Sequence, residues 1–116
     1  MKRIIVFLML FVALPVQADF YDGNALYAGL ADYRTEPMRD IVTASAATGF
    51  VLGVADTLRG FGDSRTGLQF CLPSEATRGQ VIDLVLAYLR DHPELRHYTA
   101  WSLTAAALSL AFPCKP

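Results

Sequence analysis

The sequence is short of nearly everything that catalytic and nucleic-acid-binding proteins are built from. Its 116 residues include 2 histidines, 2 cysteines and 1 tryptophan. His92 and His97 stand five apart across a proline, a poor spacing for two ligands on one helical face, and no acidic pair stands at ligand spacing. No metal site is expected. Neither histidine has a serine or cysteine partner in a local motif, so the usual signal for a nucleophile and its base is missing. Asp56 is the one acid placed where burial would raise interest, and a structural hydrogen bond or ion pair is the expected role for it. The expectation is a non-enzyme with no cofactor.

Basic charge is scarce as well. Lys2 and Arg3 lie in the first residues, and the rest of the chain carries eight Lys and Arg against eleven Asp and Glu. That balance, about −3, lacks the basic stripe of a nucleic-acid binder. Internal repeats, low-complexity tracts and linkers are absent too, and the length suits a single domain.

Long apolar runs are limited to one. Residues 4–14 form an unbroken apolar stretch of 11 residues behind the positive start, Pro15 breaks it, and Val16-Gln17-Ala18 offers small residues to a signal peptidase. A membrane-spanning helix needs about 20 apolar residues. Residues 1–18 therefore read as a secretory signal peptide cleaved after Ala18, leaving a soluble exported domain over residues 19–116. No cysteine follows the cleavage site to take a lipid anchor.

What is present is helical pattern. Asp22 or Asn24 stands before Leu26, Tyr27, Leu30 and Tyr33, a spacing of three and four that predicts a short amphipathic helix. Pro37 is compatible with a first helical turn, so a second helix is expected over residues 37–58. That helix is rich in Ala and Ser and places Gly49 and Gly53 in a Gly-x-x-x-Gly spacing. Each interior glycine costs about 1 kcal/mol relative to alanine, which implies a compensating close approach by another helix. The neighbour is either the protein's own hairpin or a second subunit.

Thr77-Arg78-Gly79-Gln80 fits a capping box and opens an apolar helix from Val81 to Leu89. His92-Pro93-Glu94 is expected to end it and to start a last helix, along which Tyr98, Trp101, Ala105, Leu108 and Phe112 form a core stripe. Cys71 and Cys114 bracket this hairpin. Export favours a disulfide between them, closing a loop of about 44 residues for roughly 4 kcal/mol in the chain-entropy model. The fold class expected is all-α, a small bundle of about four helices stapled by one disulfide.

Between the two halves, residues 59–69 form a polar run with three glycines, beyond a plausible terminator at Gly60. Its Phe61 and its two arginines, tethered by Cys71, suit a recognition element, and a merely solvated connection is the plainer reading.

Three segments carry a resemblance. GFVLGVADTL at 49–58, FCLPSEATRGQVIDLVLAYLRDHPELRH at 70–97 and AFPC at 111–114 together resemble the Rap/Tai family of type VI secretion amidase-immunity proteins. The likeness spans about two thirds of the chain beyond Ala18, and the segments around both cysteines are the specific part. It implies a periplasmic, all-helical, dimeric protein that binds a secreted peptidoglycan amidase and blocks its cysteine-protease-like cleft, protecting the producing cell. Under that reading Arg59, Phe61, Asp63, Arg65 and Gln69 are the expected partner-binding residues, and Gly49 and Gly53 the expected packing residues. A competing view places recognition on helix faces, through Arg78, Asp83 and Arg90. The alternative function is a small periplasmic acid-stress chaperone of the HdeA type or a stand-alone envelope protein; the single lysine beyond Ala18 speaks against the chaperone.

Overall fold

The computed structural model describes residues 20–61 and 69–115, with the side chains of Gly60 and Phe61 left aside. Among the described residues there are four α-helices and no strand: α1 Gly23–Tyr33, α2 Ile41–Phe61, α3 Arg78–Asp91 and α4 Ala100–Ala111. The expected signal peptide, residues 1–18, lies outside the described residues.

Helix α1 starts where its cap dictates. Asp22 accepts the Ala25 N–H at 2.8 Å, and Leu26 and Leu30, one turn apart, are both fully buried. Between them Gly29 lets α2 come close: a Cβ there would lie 2.5 Å from the Ala47 Cβ and 2.9 Å from the Thr43 carbonyl oxygen. The tightest approach in this pair is thus at Gly29, not at Gly49 or Gly53.

The second helix begins at Ile41, four residues later than Pro37 suggested. Two carboxylates decide this. Asp32, from α1, accepts the N–H groups of Arg39 at 3.0 Å and Asp40 at 2.9 Å, holding the 36–40 turn out of helix. Asp40 then takes the cap position, accepting from the N–H groups of Val42 and Thr43 at 3.0 Å and from the Thr43 hydroxyl at 2.6 Å. These bonds favour the ionised carboxyl and hold Asp40 below the usual range, the Thr43 hydroxyl being the largest cause. At its other end α2 continues through Gly60 to Phe61.

Helix α3 has the expected capping box. Thr77 Oγ1 accepts the Gln80 N–H at 3.2 Å while Gln80 Oε1 accepts the Thr77 N–H at 2.8 Å. Val81, Ile82, Val85 and Leu89 are buried on it, against α1, α2 and α4.

Pro93 does not start the last helix. It opens one 3-10 turn, Pro93–Leu95, and α4 begins only at Ala100. The delay has a non-local cause. The Gly23 N–H bonds the Tyr98 carbonyl at 3.0 Å and the Ala100 N–H bonds the Tyr21 carbonyl at 2.9 Å, clamping the chain ahead of α1 to the start of α4. Starting there, α4 turns Ala100, Leu103, Thr104, Ala107 and Leu108 inward, with Ala105 also buried. Tyr98 and Trp101, expected in the core stripe, are 53% and 45% exposed. Ala105 and Leu108 of that stripe are fully buried and Phe112 packs against the core, so the stripe holds from Ala105 onward while its first two members lie at the surface.

Two features close the hairpin. Arg96 reaches back to donate from Nε to the Leu89 carbonyl at 2.7 Å and from a terminal nitrogen to the Arg90 carbonyl at 3.3 Å, satisfying the end of α3. The Cys71–Cys114 disulfide joins the segment before α3 to the chain beyond α4, with Cα atoms 4.9 Å apart. Phe70, just ahead of it, is buried in the core.

Candidate interaction surface

At the C-terminal end of α2, Arg59 is exposed in the last turn. On the far side of the connection, Gln69 is exposed, Phe70 is buried and Cys71 is exposed. The Cys71 N–H donates to the Phe112 carbonyl at 2.8 Å, which together with the disulfide ties this segment to the end of α4. Arg59 and Gln69 thus mark the two ends of the expected recognition run. Asp63 and Arg65, and the side chain of Phe61, lie outside the described residues.

The exposed face of α2 is a second element. Gly49, Phe50, Gly53, Val54, Thr57 and Leu58, with Trp101 from α4 at the rim, line an open apolar groove of about 440 Å³. Nothing lies within 4 Å of where a Cβ would stand on Gly49 or Gly53. Of the two neighbours that the glycine spacing allowed, the protein's own hairpin is therefore excluded among the described residues. Val51 and Ala55, on the opposite face, carry the packing of α2 into the core. Ile41 and Val42 extend the apolar exposure along the first turn of α2, at 64% and 75% exposed.

Two of the three helix-face residues, Asp83 and Arg90, are tied down locally. Asp83 pairs with Arg34 at 2.7 Å, and Arg34 also donates to the Gly79 carbonyl at 3.3 Å. Arg90 bonds its neighbour Asp91 at 3.0 Å. Both pairs are largely solvent-exposed and worth little to stability. Arg78 is exposed and makes no side-chain bond to a described residue. Asp56 is exposed, so it is not a buried acid.

The histidines serve packing and local bonding. His92 stacks on Tyr88 with ring centres 4.3 Å apart and its Nδ1 lies 2.8 Å from the Tyr88 carbonyl oxygen. His97 lies against Tyr98 at 4.2 Å. Among the described residues no group of three or more His, Cys, Asp or Glu side chains is placed to hold a metal. What the surface offers is complementary contact: exposed aromatics, an apolar groove and arginines on a rigid frame.

A family model for Rap1a immunity proteins matches residues 22–114, a span that takes in all four helices and both cysteines. The chain belongs to the Rap1a immunity protein family. No curated protein matches it. The Rap1a match gives the arrangement its meaning: an immunity protein acts against a secreted effector by binding it, and the all-helical, disulfide-stapled frame is the scaffold that does so. A disulfide in such a protein is consistent with export to the periplasm.

Trp101 and Tyr98 were missed as surface residues by reading the sequence. Tyr98 lies ahead of α4 and Trp101 in its first turn, so the spacing that marks Ala105 and Leu108 as core does not bury them.

Proposed function

We propose that this Rap1a-family protein is exported to the periplasm, where it binds a type VI secreted peptidoglycan amidase and blocks its catalytic cleft. The family match supports immunity; the resemblance around the two cysteines and the apolar leader support the amidase and the compartment. The observation that carries the choice of surface is the pinning of the segment at Gln69 and Cys71 by the disulfide, the Cys71 to Phe112 backbone bond and buried Phe70. A run anchored at both ends enters a cleft at low ordering cost. Arg59, Phe61, Asp63, Arg65 and Gln69 are assigned to that contact, with Phe61 and Arg65 as anchors.

The protein acts as a homodimer in this reading. No described residue lies within 4 Å of where a Cβ would stand on Gly49 or Gly53, and small residues on a helix let a second helix approach closely. Production of a candidate cognate peptidoglycan amidase effector in the periplasm of a susceptible strain tests the function. Co-expression of the wild-type protein should rescue growth, and lysis in its presence would reject the amidase as its target.

A further inference from the structure

We propose that a groove beside the disulfide is a docking site for an arginine side chain of the effector, its stem along Leu84 and Phe112 and its guanidinium against Glu75. Only the owner of that arginine rests on the immunity reading; the groove itself does not.

The groove is open, holds about 450 Å³ and is lined by Pro73, Glu75, Ala76, Gln80, Leu84 and Phe112. Each wall is fixed by the fold. The Ala76 N–H donates to the Pro73 carbonyl at 3.1 Å, which closes the turn that carries Glu75. The capping box starts α3 so that Gln80 and Leu84, one turn apart, share a face. Phe112 comes from the far end of the hairpin. The disulfide brings it alongside, and its carbonyl accepts the Cys71 N–H at 2.8 Å. A groove already formed costs an incoming side chain little ordering of its surroundings.

The chemistry of the walls selects the occupant. Leu84 and Phe112 are only partly buried, so their uncovered sides make an apolar floor. Glu75 is exposed at the rim, and the Ser74 hydroxyl, followed by the Glu75 N–H, holds its carboxyl below the usual range and therefore ionised. No described cation, Lys115 included, lies within ion-pair distance of it. Gln80 Oε1 is engaged by the Thr77 N–H at 2.8 Å, and the amide nitrogen makes no bond to a described residue. An apolar floor that ends at an unpaired carboxylate complements a long side chain with an apolar stem and a cationic head. Arginine suits it better than lysine, because a planar guanidinium can stack on an aromatic ring and bond a carboxylate through its edge. A neutral aliphatic side chain would desolvate Glu75 without pairing it, and an acidic one would be repelled. The groove over Gly49 and Gly53 lacks this selectivity: no charged residue lines it, and its Thr57 hydroxyl is bonded to the Gly53 carbonyl at 2.8 Å.

The test begins without any effector. N-acetyl-arginine amide is titrated at millimolar concentration into the isotopically labelled mature protein, with N-acetyl-citrulline amide, its neutral isostere, as the control. Amide shifts confined to Glu75, Ala76, Gln80, Leu84 and Phe112, present with arginine, absent with citrulline and lost in Glu75→Gln, are the expected result. Shifts elsewhere, equal shifts with both probes, or none at all overturn the site. Calorimetry against a purified candidate cognate amidase effector then reads whether the effector uses it. Glu75→Gln should weaken the complex about threefold and Glu75→Lys about tenfold or more. Helix content should stay unchanged in both, since Glu75 is exposed and outside the helices. Unchanged affinity in both variants overturns the effector contact. Failure of the wild type to bind rejects the amidase reading and leaves the arginine titration to decide the groove.

Discussion

The guanidinium of Arg96 lies 3.7 Å from the centre of the Tyr27 ring. One face of the same group is thus covered by α1 while its nitrogens satisfy the Leu89 and Arg90 carbonyls at the end of α3. It holds together three pieces that the sequence keeps apart: α1, the α3 terminus and the turn that leads to α4.

Replacing Arg96 with alanine removes the stacking and both hydrogen bonds, and is expected to cost about 1–2 kcal/mol. For a domain of this size that is a fall of roughly 5–15 °C in melting temperature. Lysine restores the charge but not the planar fork, so Arg96→Lys should recover only part of the loss. Thermal melts followed by circular dichroism distinguish the three proteins, and an Arg96→Ala melt equal to wild type would show that the stacking carries no stability.

The two kinds of glycine should respond in opposite ways. At Gly29 an added methyl meets Ala47 and the Thr43 backbone, so Gly29→Ala is expected to destabilise the fold by about 1–3 kcal/mol. At Gly53 the space is open, and Gly53→Ala should stabilise α2 by up to about 1 kcal/mol through propensity. Gly53→Leu is expected to leave the fold intact and to shift the dimer toward monomer. Denaturant melts read the first pair of effects and light scattering at micromolar concentration reads the last; a wild-type protein that is already monomeric there removes the dimer from the proposal.

Acid should weaken the start of α2. The Asp40 carboxyl is held below its usual value, so its contribution is fully present above the ordinary carboxylate range and is lost as pH falls through the lowered folded value. Asp40→Asn keeps an amide cap that does not titrate. The stability gap between wild type and Asp40→Asn should therefore be largest near about pH 6 and shrink toward about pH 3. A gap that grows on acidification would reverse the sign and contradict the capping role.

The local signals were legible in the sequence. Thr77 and Gln80 are three residues apart, and a capping box needs nothing else, so α3 starts where its own residues place it. The cysteine pair and the number of helices were readable for the same reason. Pro37 and Pro93 misled because proline permits a helix start without requiring one. Whether α2 begins at Pro37 or Ile41 depends on Asp32 reaching across a turn, and whether α4 begins at Pro93 or Ala100 depends on the clamp to Tyr21 and Gly23. Those partners are distant or folded back, and residue spacing does not contain them. Gly49 and Gly53 stood out in the sequence by their spacing, yet the close packing within the chain fell to Gly29, whose partner Ala47 lies on another helix.

The central claim, that this immunity protein grips an amidase through the run between Arg59 and Gln69, is tested most directly by one calorimetric titration. The mature wild-type protein and its Phe61→Ala/Arg65→Ala variant are titrated separately into a purified candidate cognate amidase effector. Expected is a tight wild-type complex and a variant weaker by about 2 kcal/mol or more, roughly thirtyfold in Kd. Equal affinity for the two proteins would move the contact elsewhere, to the helix faces carrying Arg78, Asp83 and Arg90, and absence of any wild-type binding would contradict amidase immunity itself.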